Sequence, residues 1–590
     1  MKRKSEALLA AVIILLLIAP VARAADAYAV TIEHGVAVKM RDGVTLRADI
    51  YRPKADGQFP VLLQRTPYDK RGGVEFGLKA AARGFVAIVQ DVRGRYSSEG
   101  EWYTFKNESN DGYDTVEWAA ALPYSNGKVG MWGGSYVGAT QMLTAIAHPP
   151  HLAGICPVVT ASNYHENWTY QGGAFEQWFD ESWTSGLAQD TFSRKVQSNS
   201  NAREGNWKLP LASYPLFNFS ASDDQSSAVL APYFLDWLAH PSYDDYWKRW
   251  SIEEHFPDIN VPALHVAAWY DLFLGGSLRN YMGIKAHGGD GARSGQRLLV
   301  VIGGHSGNGR KIGEVDFGPA AEDFHEDDVT LDWYDYLFRG VHNEFAGAKP
   351  VRIFVMGANT WRDEDDWPLA RAHATKYFLH SGGKANSLRG DGKLSVNAPA
   401  SESADQYVYD PANPVQTIGG PLCCDSQHLA PGPRDQRPVE ARDDVLIYST
   451  PPLAQDMEVT GPVTLELYAK TSAVDTDFTA KLVDVGPDGF AQNLSEGILR
   501  GRYRDSRETP SLMNPGEVYK LSIDLWATSN VFRKGHVLRL EVSSSNFPRF
   551  DRNLNTGEEA KFAQRFVSAT NSIYHDAQHP SALTLPVVGQ

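Results

Sequence analysis

One stretch of the sequence, residues 128–147, constrains the fold more than any other. It opens with the alternation of a β-strand, crowds glycines around Ser135 and continues into a helix-compatible run over residues 139–147. A strand, a tight turn at a serine and a helix form a nucleophile elbow, in which the serine hydroxyl is exposed at the end of the strand. The usual pattern is G-x-S-x-G, and here the second glycine, Gly138, comes one position late. The alternative is a glycine-rich turn with an incidental serine.

The surrounding sequence alternates between strands and helices. Short apolar runs of strand length occur at residues 59–64, 85–90, 261–268 and 297–302. Such continuous runs are typical of strands that are buried on both faces of a parallel sheet. Helix-like segments at 77–82 and 111–121 separate the early runs. The pattern predicts an α/β fold with a doubly wound sheet, in which ligands bind beyond the carboxyl ends of the strands.

A chain of 590 residues is too long for one compact core, so two or three domains are expected. Beyond residue 161 the sequence is rich in aromatic residues with helical stretches, which predicts an inserted helical cap. From about residue 370, short strands follow one another without intervening helices, which is typical of a β-sandwich or jelly roll. We therefore predict a signal peptide at 1–24, a catalytic domain at 25–161 and 259–369, a cap at 162–258 and a β domain at 370–590.

The amino terminus has the features of an export signal. Three basic residues at positions 2–4 precede an apolar run over residues 8–18, and residues 22–24 fit a small-x-small cleavage site. An uncleaved anchor is the alternative, but the run is shorter than the ~20 residues that span a bilayer. We predict cleavage after Ala24, a secreted or periplasmic protein, and no stable membrane anchor after cleavage.

Charge and motif content exclude several classes of function. The formal net charge is −15, and no basic run interrupts the acidic surface, which argues against binding to nucleic acid. The sequence has no zinc-type spacing of cysteine and histidine, and the cluster His325–Asp328 is interpreted as a solvated helix start. No metal and no cofactor are predicted.

The chain has three cysteines, Cys156, Cys423 and Cys424, which are too few for a disulfide-built scaffold. A bond between the two neighbours, a bond from either of them to Cys156, and free buried thiols all stay open at this stage.

Two further residues complete a pattern with the serine. Asp271 follows the apolar run that begins near residue 261, and His305 follows the next one. In α/β-hydrolases the nucleophile, acid and base appear in this order, each after a strand of the sheet. His305 would accept the proton of Ser135, Asp271 would hold the imidazole tautomer, and the backbone N–H of Tyr136 would stabilise the oxyanion. The alternatives are a turn aspartate and a structural histidine.

Several motifs occur together in a recognisable order. They are the segments 65–70, 90–95, 98–100, 133–138, 269–271 and 304–305. With them the chain resembles the X-Pro dipeptidyl-peptidase/cocaine esterase family of serine hydrolases, which includes the α-amino acid ester hydrolases. The resemblance implies an α/β-hydrolase fold with an inserted helical cap and a carboxyl-terminal β jelly roll.

The resemblance also implies roles for single residues. Tyr68 should donate its phenol hydroxyl to the oxyanion, beside the amide of Tyr136. Phe273 and Trp183 occupy places similar to those that line an aromatic acyl pocket in relatives of the cocaine esterase type; core packing is the alternative for both. Asp91 and Arg93 are expected to brace the floor of the site as a charge-assisted pair.

The α-amino acid ester hydrolases carry acids that hold a substrate ammonium, two of them shortly after the triad acid. This chain has only apolar residues at 272–274. A third acid, in the cap, resembles Asn167 here, with Glu166 beside it. An unpaired buried cation would be costly, so the chain is nearer the cocaine esterase type.

The sequence thus predicts a serine hydrolase that cleaves carboxylic esters of small molecules through an acyl-enzyme, with amides as a second class of substrate. The alternatives are an X-Pro dipeptidyl-peptidase or acylase of the same family, which would take short acyl or peptide substrates, and, more remotely, a secreted carbohydrate-binding protein with a silent hydrolase fold. The natural substrate, a homo-oligomeric state and the motion of the cap stay open.

Overall fold

The structure is a computed structural model that describes residues 27–198, 230–305, 307–558 and 565–589. The amino-terminal half is built on one large sheet. The strands of this half are β1 Val30–Lys39, β2 Thr45–Pro53, β3 Phe59–Thr66, β4 Val86–Asp91, β5 Ser125–Gly134, β6 Leu152–Val158, β7 Tyr170–Gln171, β8 Ala174–Phe175, β9 Ala263–Tyr270, β10 Gln296–Gly304, β11 Gly307–Asn308, β12 Lys311–Ile312, β13 Val315–Asp316, β14 Val351–Val355 and β15 Thr360–Glu364. Of these, β7 with β8 and β12 with β13 form two separate two-stranded sheets.

The order of strands in this sheet is β1-β2-β4-β3-β5-β6-β9-β10-β14-β15, with β11 paired to β10. The strands from β4 to β14 run parallel, whereas the edges at β1, β2 and β15 are antiparallel. Every residue of β4 and of β9 is buried, as their continuous apolar runs predict. The predicted α/β fold is therefore confirmed.

Helices cover both faces of the sheet and form the segment between β6 and β9. The α-helices of the described residues are α1 Val74–Ala82, α2 Glu108–Ala120, α3 Tyr136–Ile146, α4 Gln177–Ser198, α5 Pro232–Ala239, α6 Asp245–Lys248, α7 Leu274–His287, α8 Asp290–Arg293, α9 Glu326–Arg339 and, in the carboxyl-terminal half, α10 Arg437–Glu440. Helix α9 begins at the acidic cluster interpreted from the sequence as a helix start. The segment between β6 and β9 contributes α4, α5, α6 and the β7–β8 hairpin.

The carboxyl-terminal half is a second β structure. Its strands are β16 Ala372–His380, β17 Lys393–Ser395, β18 Asp405–Tyr409, β19 Leu446–Ser449, β20 Met457–Thr471, β21 Asp477–Val485, β22 Ala491–Arg500, β23 Tyr519–Phe532, β24 Val537–Ser543, β25 Ala569–Tyr574 and β26 Ala582–Val588. They pair in the order β18-β25-β20-β26-β16-β17-β19-β24-β21-β22, with β23 on β20. A separate β-rich region is thus confirmed, while its description as a jelly roll stays a prediction.

A polar network is buried in this β region. His575, which follows β25, lies between Asp405 (Nε2–Oδ2, 2.9 Å) and Glu402 (Nδ1–Oε2, 3.1 Å). The hydroxyl of Tyr448 donates to the same oxygen of Asp405 at 2.7 Å. Burial alone would lower the pKa of His575, but the two carboxylates outweigh that effect and raise it above 6.5. The network therefore favours the charged form of the imidazole at the junction of three segments.

The two halves are joined by a buried arginine. Arg549, after β24, reaches Glu176 at the start of the cap helices (Nη2–Oε1, 3.3 Å) and Gln171 in the β7–β8 hairpin (Nη2–Oε1, 3.1 Å). On its own side it pairs with Glu496. Because all three charged groups are buried, each depends on the others for compensation.

The structure also decides the cysteine pairing that the sequence left open. Cys423 and Cys424 form a disulfide, and Cys156 is a free, buried thiol whose pKa burial raises to about 12. The predicted signal peptide lies outside the described residues. Within those residues, no helix is both long and apolar enough to cross a bilayer.

Candidate active site

The turn between β5 and α3 has the backbone of a nucleophile elbow. Ser135 lies between the last residue of β5 and the first of α3, at φ 61° and ψ −127°, a strained conformation for a residue other than glycine. Two glycines near the serine, Gly133 and Gly138, are needed for this turn. Gly133 has φ 119°, and a Cβ at Gly138 would lie 2.7 Å from Cβ of Thr160, closer than side-chain carbons pack. The late glycine therefore serves the close contact between α3 and the chain after β6.

The three side chains predicted from strand order meet at one edge of the sheet. Nε2 of His305 lies 2.9 Å from Oγ of Ser135, and its Nδ1 lies 2.7 Å from Oδ2 of Asp271. The carboxylate of Asp271 is fully buried, and its other oxygen accepts from the backbone N–H of Phe273 at 2.6 Å. The histidine is thus oriented from one side and faces the serine hydroxyl on the other.

Sheet topology explains this convergence over 170 residues of sequence. Ser135, Asp271 and His305 directly follow β5, β9 and β10, which run parallel in the consecutive order β5-β6-β9-β10. Parallel strands place their carboxyl ends at the same edge, so residues that follow them share one rim.

Two donors lie beside the serine. The hydroxyl of Tyr68 interacts with the hydroxyl of Ser135 and with the backbone N–H of Tyr136. It also accepts from Nε1 of Trp183 at 2.9 Å. Tyr68 is 38% exposed as a residue, but burial of its hydroxyl raises its pKa; polar neighbours, Trp183 first, oppose the rise, so the phenol keeps its proton as a donor near neutral pH. The structure therefore brings together the two groups expected to hold an oxyanion.

A buried ion pair supports the first residue of α3. The hydroxyl of Tyr136 donates to Glu108 at 3.1 Å, and Glu108 pairs with Arg65 (Oε2–Nη1, 2.8 Å). Burial raises the pKa of Glu108, and the charge of Arg65 opposes that rise. This contact fixes the tyrosine whose amide faces the reaction centre. Sequence analysis included Arg65 in a motif but missed its partner, because Glu108 lies in a polar helix start without a distinctive pattern.

Aromatic side chains surround the serine on the side of the cap. Phe273 is fully buried, lies edge-on to His305 at 5.2 Å and stacks on Trp168 at 4.5 Å. Trp183 is buried on α4, 5.8 Å from the ring of Tyr136. Both predicted pocket residues thus lie against the candidate site. Trp168 was missed, since in an aromatic-rich segment nothing in the sequence distinguishes it from a core residue.

The expected pair between Asp91 and Arg93 does not form. Asp91 ends β4 and its carboxylate binds Lys70, accepting from the backbone N–H at 2.7 Å and from Nζ at 3.2 Å. Arg93, two residues further, binds Asp111 on α2 at 2.6 and 2.9 Å. Each charge has a better-placed partner on a neighbouring element, so the prediction of a direct pair is wrong.

The residues discussed for ammonium recognition lie elsewhere. Oδ1 of Asn167 accepts from Nη1 of Arg279 at 2.9 Å, and Glu166 faces a different cavity. The described residues contain no group of three or more histidine, cysteine, aspartate or glutamate side chains that could hold a metal ion.

Comparison with known proteins identifies the family of the chain and supports its fold. The fold and the elbow define the chain as a serine hydrolase of the α/β-hydrolase class. The profile of the X-Pro dipeptidyl-peptidase (S15) family matches residues 42–307, and that of the X-Pro dipeptidyl-peptidase C-terminal non-catalytic domain matches residues 343–584. The chain is 39% identical over 588 residues to the cocaine esterase of Rhodococcus sp. (strain MB1 Bresler), covering 95% of this chain and 99% of the relative. The chain therefore belongs to the X-Pro dipeptidyl-peptidase/cocaine esterase family of serine hydrolases.

Two solved structures share the fold over nearly the whole chain. An α-amino acid ester hydrolase superposes with a TM-score of 0.80 at 26% identity, covering 97% of this chain and 100% of the other. An aminopeptidase from the marine sediment archaeon Thaumarchaeota archaeon gives a TM-score of 0.79, also at 26% identity, over 95% of this chain and 97% of the other. The predicted family and the mixed α/β architecture with its added carboxyl-terminal domain are confirmed.

Proposed function

We propose that this protein hydrolyses carboxylic esters through a covalent acyl-enzyme, with Ser135 as nucleophile, His305 as base and Asp271 as orienting acid. The observation that carries the proposal is the unbroken chain of contacts from Asp271 through His305 to Ser135, 2.7 and 2.9 Å long. The similarity to a cocaine esterase over 95% of the chain supports an ester as the substrate.

In the first step Oγ of Ser135 attacks the ester carbonyl carbon and its proton passes to Nε2 of His305. The tetrahedral oxyanion accepts hydrogen bonds from the hydroxyl of Tyr68 and the amide of Tyr136. Collapse breaks the bond to the leaving alcohol, which takes the proton from His305. Water then attacks the acyl-enzyme with His305 again as base, and this releases the acid and restores Ser135.

The acyl group of the substrate is proposed to be aromatic. The wall beside His305 is formed by Phe273 and Trp168, with Trp183 close to the elbow. Stacked and edge-on rings bind a further aromatic ring through the same packing. Cleavage of X-Pro peptides is less favoured, because the positions at 272–274 offer no carboxylate to a free amino terminus.

The test combines labelling with a substrate panel. A fluorophosphonate should label the protein at Ser135 and not label Ser135→Ala, and an aromatic acyl ester should give a burst of alcohol equal to the enzyme concentration. Ser182→Ala is the matched control, because the hydroxyl of Ser182 donates to the backbone carbonyl of Phe179 in its own helix.

Labelling elsewhere, or a near-normal rate in Ser135→Ala, would contradict the assignment. Faster turnover of an Xaa-Pro anilide than of the ester would favour the dipeptidyl-peptidase. Glycan binding without any hydrolysis would favour a silent hydrolase.

We also propose the domain division and the export predicted from the sequence: catalytic domain 25–161 and 259–369, cap 162–258, β domain 370–590, and a signal peptide at 1–24. Expression in a bacterial host with an intact secretion system should give a periplasmic protein whose first residue is Ala25 by mass spectrometry. A mature protein that begins at Met1 would contradict the export proposal.

A further inference from the structure

A second cavity lies between the two halves of the protein. Its volume is about 510 Å³, within the range of small-molecule sites. Four parts of the chain line it: the segment from Glu166 to Gly172, Glu253 before β9, helix α7, and the carboxyl-terminal strands β22 and β23 with the loop between them. None of the candidate catalytic or oxyanion residues is part of its lining, so it is separate from the proposed esterase site and does not depend on it.

Two buried polar atoms in the wall of this cavity have no hydrogen-bond partner among the described residues. Glu166 is 7% exposed; its Oε1 accepts from the backbone N–H of Gly172 at 2.8 Å, whereas its Oε2 accepts no hydrogen bond and lies 3.9 Å from Nδ1 of His165. Gln171 is 2% exposed; its Oε1 accepts from Arg549, and its Nε2 is unpaired. Buried polar groups are nearly always satisfied in folded proteins. A carboxyl and an amide N–H without partners in the same wall therefore indicate a missing ligand or water.

The lining of the cavity carries charges of both signs: four carboxyl groups, Glu166, Glu253, Asp505 and Asp524, and three arginines, Arg279, Arg504 and Arg507. Arg279 pairs with Asp524 at 3.1 Å and lies 3.7 Å from Glu253. Arg504 pairs with Asp505 at 3.2 Å. An anionic ligand would lie beside four carboxyl groups, and a cation would lie beside three guanidinium groups. A neutral polar ligand meets neither penalty.

We propose that this cavity binds a small neutral polyhydroxyl compound of monosaccharide size. A hydroxyl group donates and accepts through one oxygen atom, so neighbouring hydroxyls can donate to Oε2 of Glu166 and accept from Nε2 of Gln171. The remaining hydroxyls face charged and hydroxyl side chains on the opposite wall, including Ser522 and Asp524. The ligand would bridge the cap segment and the β region.

Binding is tested by isothermal titration of the full chain with glucose, galactose and glycerol, with glycine as the zwitterionic comparator. We expect saturable binding of at least one of the three polyols and none of glycine. Glu166→Gln replaces the accepting oxygen by a donor and should weaken binding at least tenfold. Glu344→Gln, an exposed glutamate outside the cavity, should bind as the wild type.

A second variant keeps the test decisive if Glu166→Gln fails to fold. Ser522 is exposed on β23 and lines the cavity, so Ser522→Trp should fill the space without disturbing the core. It should abolish polyol binding and leave ester hydrolysis within twofold of wild type. No saturable binding to the wild type, binding that survives in Ser522→Trp, or binding of glycine in place of the polyols would overturn the proposal.

Discussion

Two histidines of this protein have nearly the same contact with an aspartate and opposite surroundings. Nδ1 of His305 lies 2.7 Å from Asp271, and Nε2 of His575 lies 2.9 Å from Asp405. The second nitrogen of His305 faces a serine hydroxyl, whereas that of His575 faces another carboxylate, Glu402. The first arrangement places the ring between a carboxylate and a hydroxyl, the geometry of a general base. The second places the ring between two carboxylates, which favour its charged form.

The difference shows that a histidine–aspartate contact does not by itself define a catalytic site. A hydroxyl also lies near His575, since Oγ of Ser381 is 3.1 Å from its Nε2. That hydroxyl donates to Asp405 at 2.7 Å, so its proton is already committed to a carboxylate. Ser135 has no such acid partner among the described residues. The two sites therefore differ in the group that is placed to accept the serine proton, which is His305 for Ser135 and Asp405 for Ser381.

The largest expected effect is the loss of turnover when His305 is replaced. His305→Gln removes the base and should lower kcat/KM for an aromatic acyl ester by at least ~10⁴-fold. His575→Gln should keep kcat/KM within about threefold at 25 °C, because His575 lies outside the site. Steady-state kinetics of both variants check this. Comparable losses of kcat/KM in the two variants would contradict the assignment of His305 as the catalytic base.

The second effect concerns the oxyanion. Tyr68→Phe keeps the ring and removes the hydroxyl that lies beside Ser135 and Tyr136. Loss of one oxyanion donor costs about 10²–10³ in kcat, with KM little changed because the donor acts on the transition state. Tyr96→Phe, a tyrosine in the loop after β4, is the control. An unchanged kcat in Tyr68→Phe would leave the amide of Tyr136 as the main donor.

The third expected effect is a loss of stability when His575 is replaced. His575→Gln removes the cation beside the buried carboxylate of Asp405, and breaking a buried ion pair costs about 3–5 kcal/mol. The melting temperature should therefore fall by several degrees, measured by differential scanning fluorimetry. His373→Gln, an exposed histidine on β16, should melt with the wild type. An unchanged melting temperature in His575→Gln would contradict the proposed structural role.

The stability effect of His575 should also depend on pH in a fixed direction. Its pKa is raised in the folded protein, so its contribution is complete below the ordinary value of 6.5 and is lost as the pH rises through the folded pKa. The gap in melting temperature between wild type and His575→Gln should thus be widest near pH 6 and narrow at higher pH. A gap that widens with pH would mean that the imidazole is held neutral.

The smallest effect is expected from the hydrogen bond between Trp183 and Tyr68. Trp183→Phe keeps an aromatic wall but removes the N–H that binds the Tyr68 hydroxyl at 2.9 Å. We expect kcat to fall less than tenfold, because only the orientation of the donor is relaxed. Combined with Tyr68→Phe it should add almost nothing, since the two changes act on one contact. Additive losses would indicate a separate role for Trp183 in the acyl pocket.

How much the sequence could predict depended on whether a residue's place follows from strand order. Ser135, Asp271 and His305 were found because a parallel sheet brings the ends of its strands to one edge. The pairing of Asp91 with Arg93 was predicted wrongly, because the direction of side chains in a turn is set by partners on other elements. Tyr68 came from family resemblance alone, since nothing in its local pattern distinguishes it from a turn aromatic.

Contacts between distant segments were beyond the sequence altogether. The cavity beside Glu166 is closed by strands more than three hundred residues further along the chain, and no local sequence pattern predicts a contact between such distant segments. The cysteine pairing was likewise undecidable, since three thiols allow several bonds. Trp168 could not be recognised as a pocket residue for another reason. A tryptophan that stacks on a pocket wall and one that fills a core have the same sequence environment.

The buried arginine at position 549 has a consequence for how such proteins can be recombined. Its guanidinium compensates Glu176 from the first half of the chain and Glu496 from the second. A chimaera that took residues up to about 370 from one relative and the rest from another would inherit one half of this contact from each parent. Unless both parents carry the same charges there, the hybrid would bury an acid without its cation, so the two halves should be exchanged only as a matched set.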